Sequence, residues 1–66
     1  MIILGKYSTE KYSYDCQFIP SEKKVQAVGP LPERDGSRGI IFETRAESEQ
    51  EARDRISAAI ESGELK

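Results

Sequence analysis

Histidine is absent from this chain of 66 residues, tryptophan is absent, and there is a single cysteine, Cys16. Each absence removes a class of chemistry. Without histidine, neither a Ser-His-Asp nor a Cys-His arrangement can be assembled, and a zinc-hydroxide centre loses its usual ligands. One thiol cannot close an internal disulfide, and without a second thiol or an imidazole a structural metal lacks its donor set. No apolar run approaches the ~18 residues needed to span a bilayer, and no basic segment followed by an apolar stretch opens the chain. These features point to a cytoplasmic protein with no membrane span and no cofactor.

A surplus of positive charge is lacking too. Residues 1–45 carry seven basic and six acidic side chains and residues 46–66 three basic and six acidic, giving a net charge of −2. A nucleic-acid module normally shows a basic stripe, so this balance argues against one. The acidic residues gather in the C-terminal third, where an acidic surface is read first as the solvated side of a helix.

That helix is the clearest feature present. Ser48 and Glu51 form an S-x-x-E capping box, in which the hydroxyl accepts from the amide of Glu51 and the carboxylate returns to the amide of Ser48. Ala52, Ile56, Ala59 and Ile60 then fall at i, i+4, i+7 and i+8, one apolar stripe on an otherwise charged cylinder. Glu49 with Arg53 and Glu51 with Arg55 are i,i+4 pairs, each contributing about 0.3 kcal/mol. Gly63 supplies the left-handed residue that ends such helices. A helix over residues 49–62 is about 21 Å long and marginal alone in water, so its stripe requires a sheet to cover.

Residues 12–18 alternate apolar and polar, the mark of a strand with Tyr12, Tyr14, Cys16 and Phe18 turned inward. Residues 20–23 are turn chemistry, and Val25, Ala27 and Val28 mark a shorter return strand. Residues 2–7 are apolar and β-prone, with a reversal over residues 8–11. A further strand covers residues 39–45, with Ile40, Phe42 and Thr44 assigned to the core and Ile41, Glu43 and Arg45 to the other side. The expected architecture is a single α+β domain over residues 1–66. It has an antiparallel meander of three or four strands, covered on one face by one C-terminal helix in the order β-β-β-β-α. Residues 29–38 hold two prolines and two glycines and are expected to form a long exposed loop. A domain of this size buries little surface, so self-association is an available source of stability, with an edge strand, the first or the third, as the place for a homodimer to form.

Candidate sites are few. Cys16 is the lone nucleophile, but on the inner side of an alternating strand a cysteine behaves as a small hydrophobe. Carboxylates Glu33, Asp35 and Glu43 offer acid–base groups with nothing to pair them. In the loop, Arg34, Ser37 and Arg38 beside Gly36 and Gly39 form a possible receptor for a phosphate or carboxylate, set against the plain reading of Asp35-Gly36 as a solvated turn. Leu31, between two prolines, is a candidate exposed anchor. The rings of Tyr7, Tyr12 and Tyr14 suit an interface or base stacking, although Tyr12 and Tyr14 share register with Cys16 and are expected under the helix; Tyr7 stays open.

From Pro30 to Ile60, with PLP, a strand and then AESEQEARDRISAAI, the chain resembles the corresponding part of HicB-type antitoxin domains. The resemblance implies a small cytoplasmic protein that neutralises a partner by surface contact. The expectation is therefore a non-enzymatic protein-binding module, an inhibitory or regulatory factor. Two alternatives remain: a nucleic-acid binder using the outer sheet face with Lys6, Lys11, Lys23, Lys24, Arg34 and Arg38, and a small-anion binder or enzyme using the Arg34 to Arg38 loop.

Overall fold

The computed structural model describes residues 1–31 and 37–65. Four strands, β1 (Ile2–Ser8), β2 (Ser13–Ile19), β3 (Lys24–Pro30) and β4 (Arg38–Arg45), precede one helix, α1 (Glu49–Ser62). The strands form a single antiparallel sheet in the order β1-β2-β3-β4, the expected meander.

The helix forms where its caps place it. Ser48 is extended, at φ −145° and ψ 167°, and its hydroxyl accepts from the amide of Glu51 at 3.2 Å. The Glu51 carboxylate turns to Arg55 at 3.7 Å instead of returning to Ser48, and Glu49 pairs with Arg53 at 3.5 Å. Gly63, at φ 85°, takes the left-handed conformation, and its amide donates to the carbonyl of Ile60. Past it the chain folds back, the amide of Leu65 donating to the carbonyl of Ala59 while its side chain enters the core.

Ala52, Ile56 and Ala59 are buried and Ile60 is partly so, against the two central strands β2 and β3. From the sheet, Leu4, Tyr14, Cys16, Phe18, Val25 and Ala27 complete the core, together with Ala46 and Leu65. Cross-strand pairs share a face, and the rows Phe18–Val25–Thr44 and Cys16–Ala27–Phe42 lie beneath the helix.

Five expectations need correction. Tyr12 precedes β2 and is 46 % exposed, since the strand begins at Ser13; its ring meets Tyr14 edge-on at 6.4 Å. β3 is as long as its neighbours, and Gly29 and Pro30 pair with Gly39 and Arg38, so the expected loop over residues 29–38 is strand at both ends, while residues 32–36 of it lie outside the described residues. A proline is tolerated there because it sits at the strand terminus. Ile40 is exposed while Ile41 packs on the core, because a bulge between the Ala27–Phe42 and Val28–Ile40 pairs inserts one residue and shifts the alternation. The third strand is internal, so the edges are β1 and β4. Finally, the Glu51 half of the capping box gives way to its ion pair.

Candidate functional site

With the helix on one side, the other face of the sheet is left to solvent, and its side chains can be read row by row from the register. Ile3, Gln17, Gln26 and Glu43 form one row. Along it the Gln17 side-chain amide donates to Gln26 Oε1 at 2.7 Å, and the amide of Gln26 donates in turn to the Glu43 carboxylate. Neighbours on both sides leave Gln26 only 6 % exposed, and this ladder satisfies its polar atoms. The next row is Lys6, Asp15, Val28 and Ile40.

Three cations of this face, Arg38, Lys24 and Arg45, are matched by carboxylates, whereas Lys6 has no ion pair among the described residues. Arg38 reaches across β3 so that one nitrogen, Nη2, donates to the carbonyls of Ser13 and Val28 and to Asp15 Oδ2, all at 3.2–3.3 Å. Lys24 Nζ lies 3.1 Å from Glu22 and 3.3 Å from Glu43, and Arg45 Nη2 lies 2.7 Å from Glu47. Hydrogen bonds from Gln26 and then Lys24 hold the Glu43 carboxyl below its usual range, and Arg45 does the same for Glu47. Glu22 and Glu43 in return raise Lys24.

The sequence-nominated residues divide. Leu31 and Ser37 meet: the Leu31 amide donates to the Ser37 carbonyl at 3.0 Å, closing the neck of the loop. Leu31 is half-buried, its methyl carbons lying over Gly39, where a Cβ would stand 3.1 Å away. Arg38 is the three-strand staple just described. Arg34 lies outside the described residues, as do Glu33 and Asp35, so the anion receptor proposed for Arg34, Ser37 and Arg38 is not brought together among the described residues. Tyr7 is on the helix-covered face, half-buried, with its hydroxyl accepting from Arg53 Nη1 at 3.5 Å; the same nitrogen donates to the Leu4 carbonyl at 3.2 Å.

Cys16 is 1 % exposed, and burial, aided by Asp15, pushes its thiol up to about 11. Burial of this kind disfavours the thiolate, the reactive form of the side chain. Among the described residues no three His, Cys, Asp or Glu side chains converge on a point where a metal ion would sit. No described helix is long and apolar enough to cross a membrane.

Two residues that pattern reading missed are conspicuous on the open face. Ile3 is 65 % exposed and Ile40 53 %, one on each edge strand. Along the inner side of β4 a third surface opens, a groove of about 400 Å³ between Phe42 and Thr44 of the strand and Ala58, Ala59 and Ser62 of the helix. The bulge at Ile41 is the non-local feature that brings Ile40 outward. No protein-family model, no curated protein and no solved structure matches the chain.

Proposed function

We propose that this chain is a non-enzymatic protein-binding module, an inhibitory or regulatory factor that acts by surface contact. The observation that carries the reading is the open sheet face, where Ile3 and Ile40 stand exposed on a surface whose arginines and Lys24 are matched by carboxylates of the same chain. Desolvating such a face against another protein buries apolar area and leaves few uncompensated charges. The likeness of residues 30–60 to HicB-type antitoxin domains supports the same reading, since it implies neutralisation of a partner by contact.

The nucleic-acid alternative asks for free cations in a stripe. Arg38, Lys24, Lys23 and Arg45 are each spent on Asp15, Glu43, Glu22 or Glu47, which leaves only Lys6 and Lys11 of that set without an ion pair among the described residues and favours the protein partner.

Affinity capture from native cell extract, with mass spectrometry, tests the proposal. The expected result is a specific protein that is lost on Ile40→Lys, a change at an exposed position that leaves the core intact. Recovery of nucleic acid alone, released as salt rises, would replace this reading with the alternative.

A further inference from the structure

The helix packs on β2 and β3, so the inner side of β4 is only half covered, and the groove beside it has an apolar floor of Phe42, Ala58 and Ala59 set among the polar side chains of Thr44 and Ser62. Glu43, Arg55 and Glu64 stand at its rim. β4 is at the same time an edge of the sheet, and no described strand pairs with its outer side.

The direction of its backbone groups follows from one bond. The Ala46 amide donates to the Lys23 carbonyl at 3.0 Å, and this pair continues the register of Lys24 with Arg45 and Val25 with Thr44. Hydrogen bonding alternates along an antiparallel strand, so Thr44 and Phe42 turn their amides and carbonyls to β3, while Glu43 and Arg45 turn theirs to the open side. Two donor–acceptor sets with no strand partner among the described residues therefore border the groove.

The opposite edge is obstructed. β1 is bulged at Leu4 and Gly5, and Arg53 holds the Leu4 carbonyl; bulges and charges on an edge discourage strand addition. The bulge of β4 lies before Phe42 and leaves residues 42–45 regular.

Charge indicates what the groove would accept. The last turn of α1 carries no basic residue, and Glu61 and Glu64 lie at its negative end. Glu64 has no ion-pair partner among the described residues. A cation brought by a partner would compensate both the carboxylates and the helix dipole.

We propose that residues 42–45 accept an extended segment of a partner protein as a fifth strand. Its alternate apolar side chains enter the groove between Phe42 and Ala58, and a lysine or arginine at one end faces Glu64. This rests on the reading of the chain as a protein-binding module and adds to the open sheet face a second contact surface, the β4 edge, which works by strand addition with side-chain pockets.

The test is selection of a phage-displayed pool of random decapeptides on the full chain. Enriched peptides should carry apolar residues at alternate positions with a Lys or Arg at one end, and should slow amide exchange at Glu43 and Arg45. They should lose at least ~tenfold in affinity against Ala58→Arg, which fills the groove from an exposed helix position. As a second measure independent of any variant, N-methylation of alternate peptide amides should abolish binding. Enriched peptides that bind Ala58→Arg unchanged, tolerate N-methylation, or protect amides elsewhere would overturn the proposal. A chain that dimerises and is dissociated by Ala58→Arg would overturn it in favour of a second copy as the occupant. A cellular protein captured equally by Ala58→Arg and the parent would sink this mode alone, whereas capture of no protein by either would sink the module reading itself.

Discussion

The ring of Tyr14 occupies the space that a side chain on Gly29 would need: a Cβ built there would stand 2.5 Å from Tyr14 Cδ1, and Ile41 closes the same space at 3.0 Å. The two residues face one another across β2 and β3 at the end of the core, and Tyr14 is 2 % exposed. A glycine inside a strand weakens it by itself, and here the close approach of an aromatic ring accounts for it.

Gly29→Ala should accordingly destabilise the fold by about 1–3 kcal/mol, the usual effect of overfilling a packed site. Urea denaturation followed by circular dichroism measures this directly. A neutral or stabilising result would mean that the ring moves aside without loss.

Burial separates two isoleucines, one on the helix and one on β4. Ile56, on the helix stripe, is fully buried against the sheet, and Ile56→Ala should cost ~2–5 kcal/mol. Ile40, more than half exposed, should change stability by less than ~0.5 kcal/mol on the same substitution. Equal effects at both sites would contradict the bulge-shifted register of β4.

The helix ends make a third case. Ser48→Ala removes the acceptor for the Glu51 amide and should cost about 1 kcal/mol. Gly63→Ala forces a side chain into the left-handed region and should cost about 1–2 kcal/mol. The two lie at opposite ends, so the double variant should show the sum in thermal unfolding.

Acid should weaken the fold through Glu43 and Glu47. Both carboxyls are held below their ordinary value of 4.5 in the folded chain, first by Gln26 and Arg45 respectively. Their contribution is therefore fully present above that value and is lost as pH falls through the lower folded-state value. Chemical denaturation at a series of pH values should show a midpoint that drops below about pH 4.5, with a shallower drop in Glu43→Gln. A pH dependence unchanged by that substitution would show that the Gln17–Gln26–Glu43 ladder contributes nothing to the profile.

Local signals made the helix readable: Ser48, the spacing of Ala52, Ile56 and Ala59, and Gly63 all act within a few residues, and each stands where the pattern puts it. The strand from Tyr14 to Phe18 was legible for the same reason. What escaped reading depends on partners distant in sequence. The bulge at Ile41 is set by how β4 aligns with β3, and it exchanges the roles of Ile40 and Ile41 with no local sequence signal to mark it. Gly29 and Pro30 have loop composition, yet pair with Gly39 and Arg38 because the neighbouring strand supplies the ladder and Tyr14 fills the gap. Leu65 reaches the core only because Gly63 reverses the chain. Of the nominated surface residues, Leu31 and Ser37 are joined by a backbone hydrogen bond and Arg38 carries contacts to Ser13, Asp15 and Val28, none of which a spacing rule anticipates.

The most direct test is amide hydrogen exchange at Glu43 and Arg45, in the chain alone and in complex with a captured partner. An open β4 edge predicts rapid exchange at both positions in the free chain, slow exchange at Phe42 and Thr44, and strong protection of all four in the complex. Protection of Glu43 and Arg45 without any partner, or their continued rapid exchange in its presence, would contradict it.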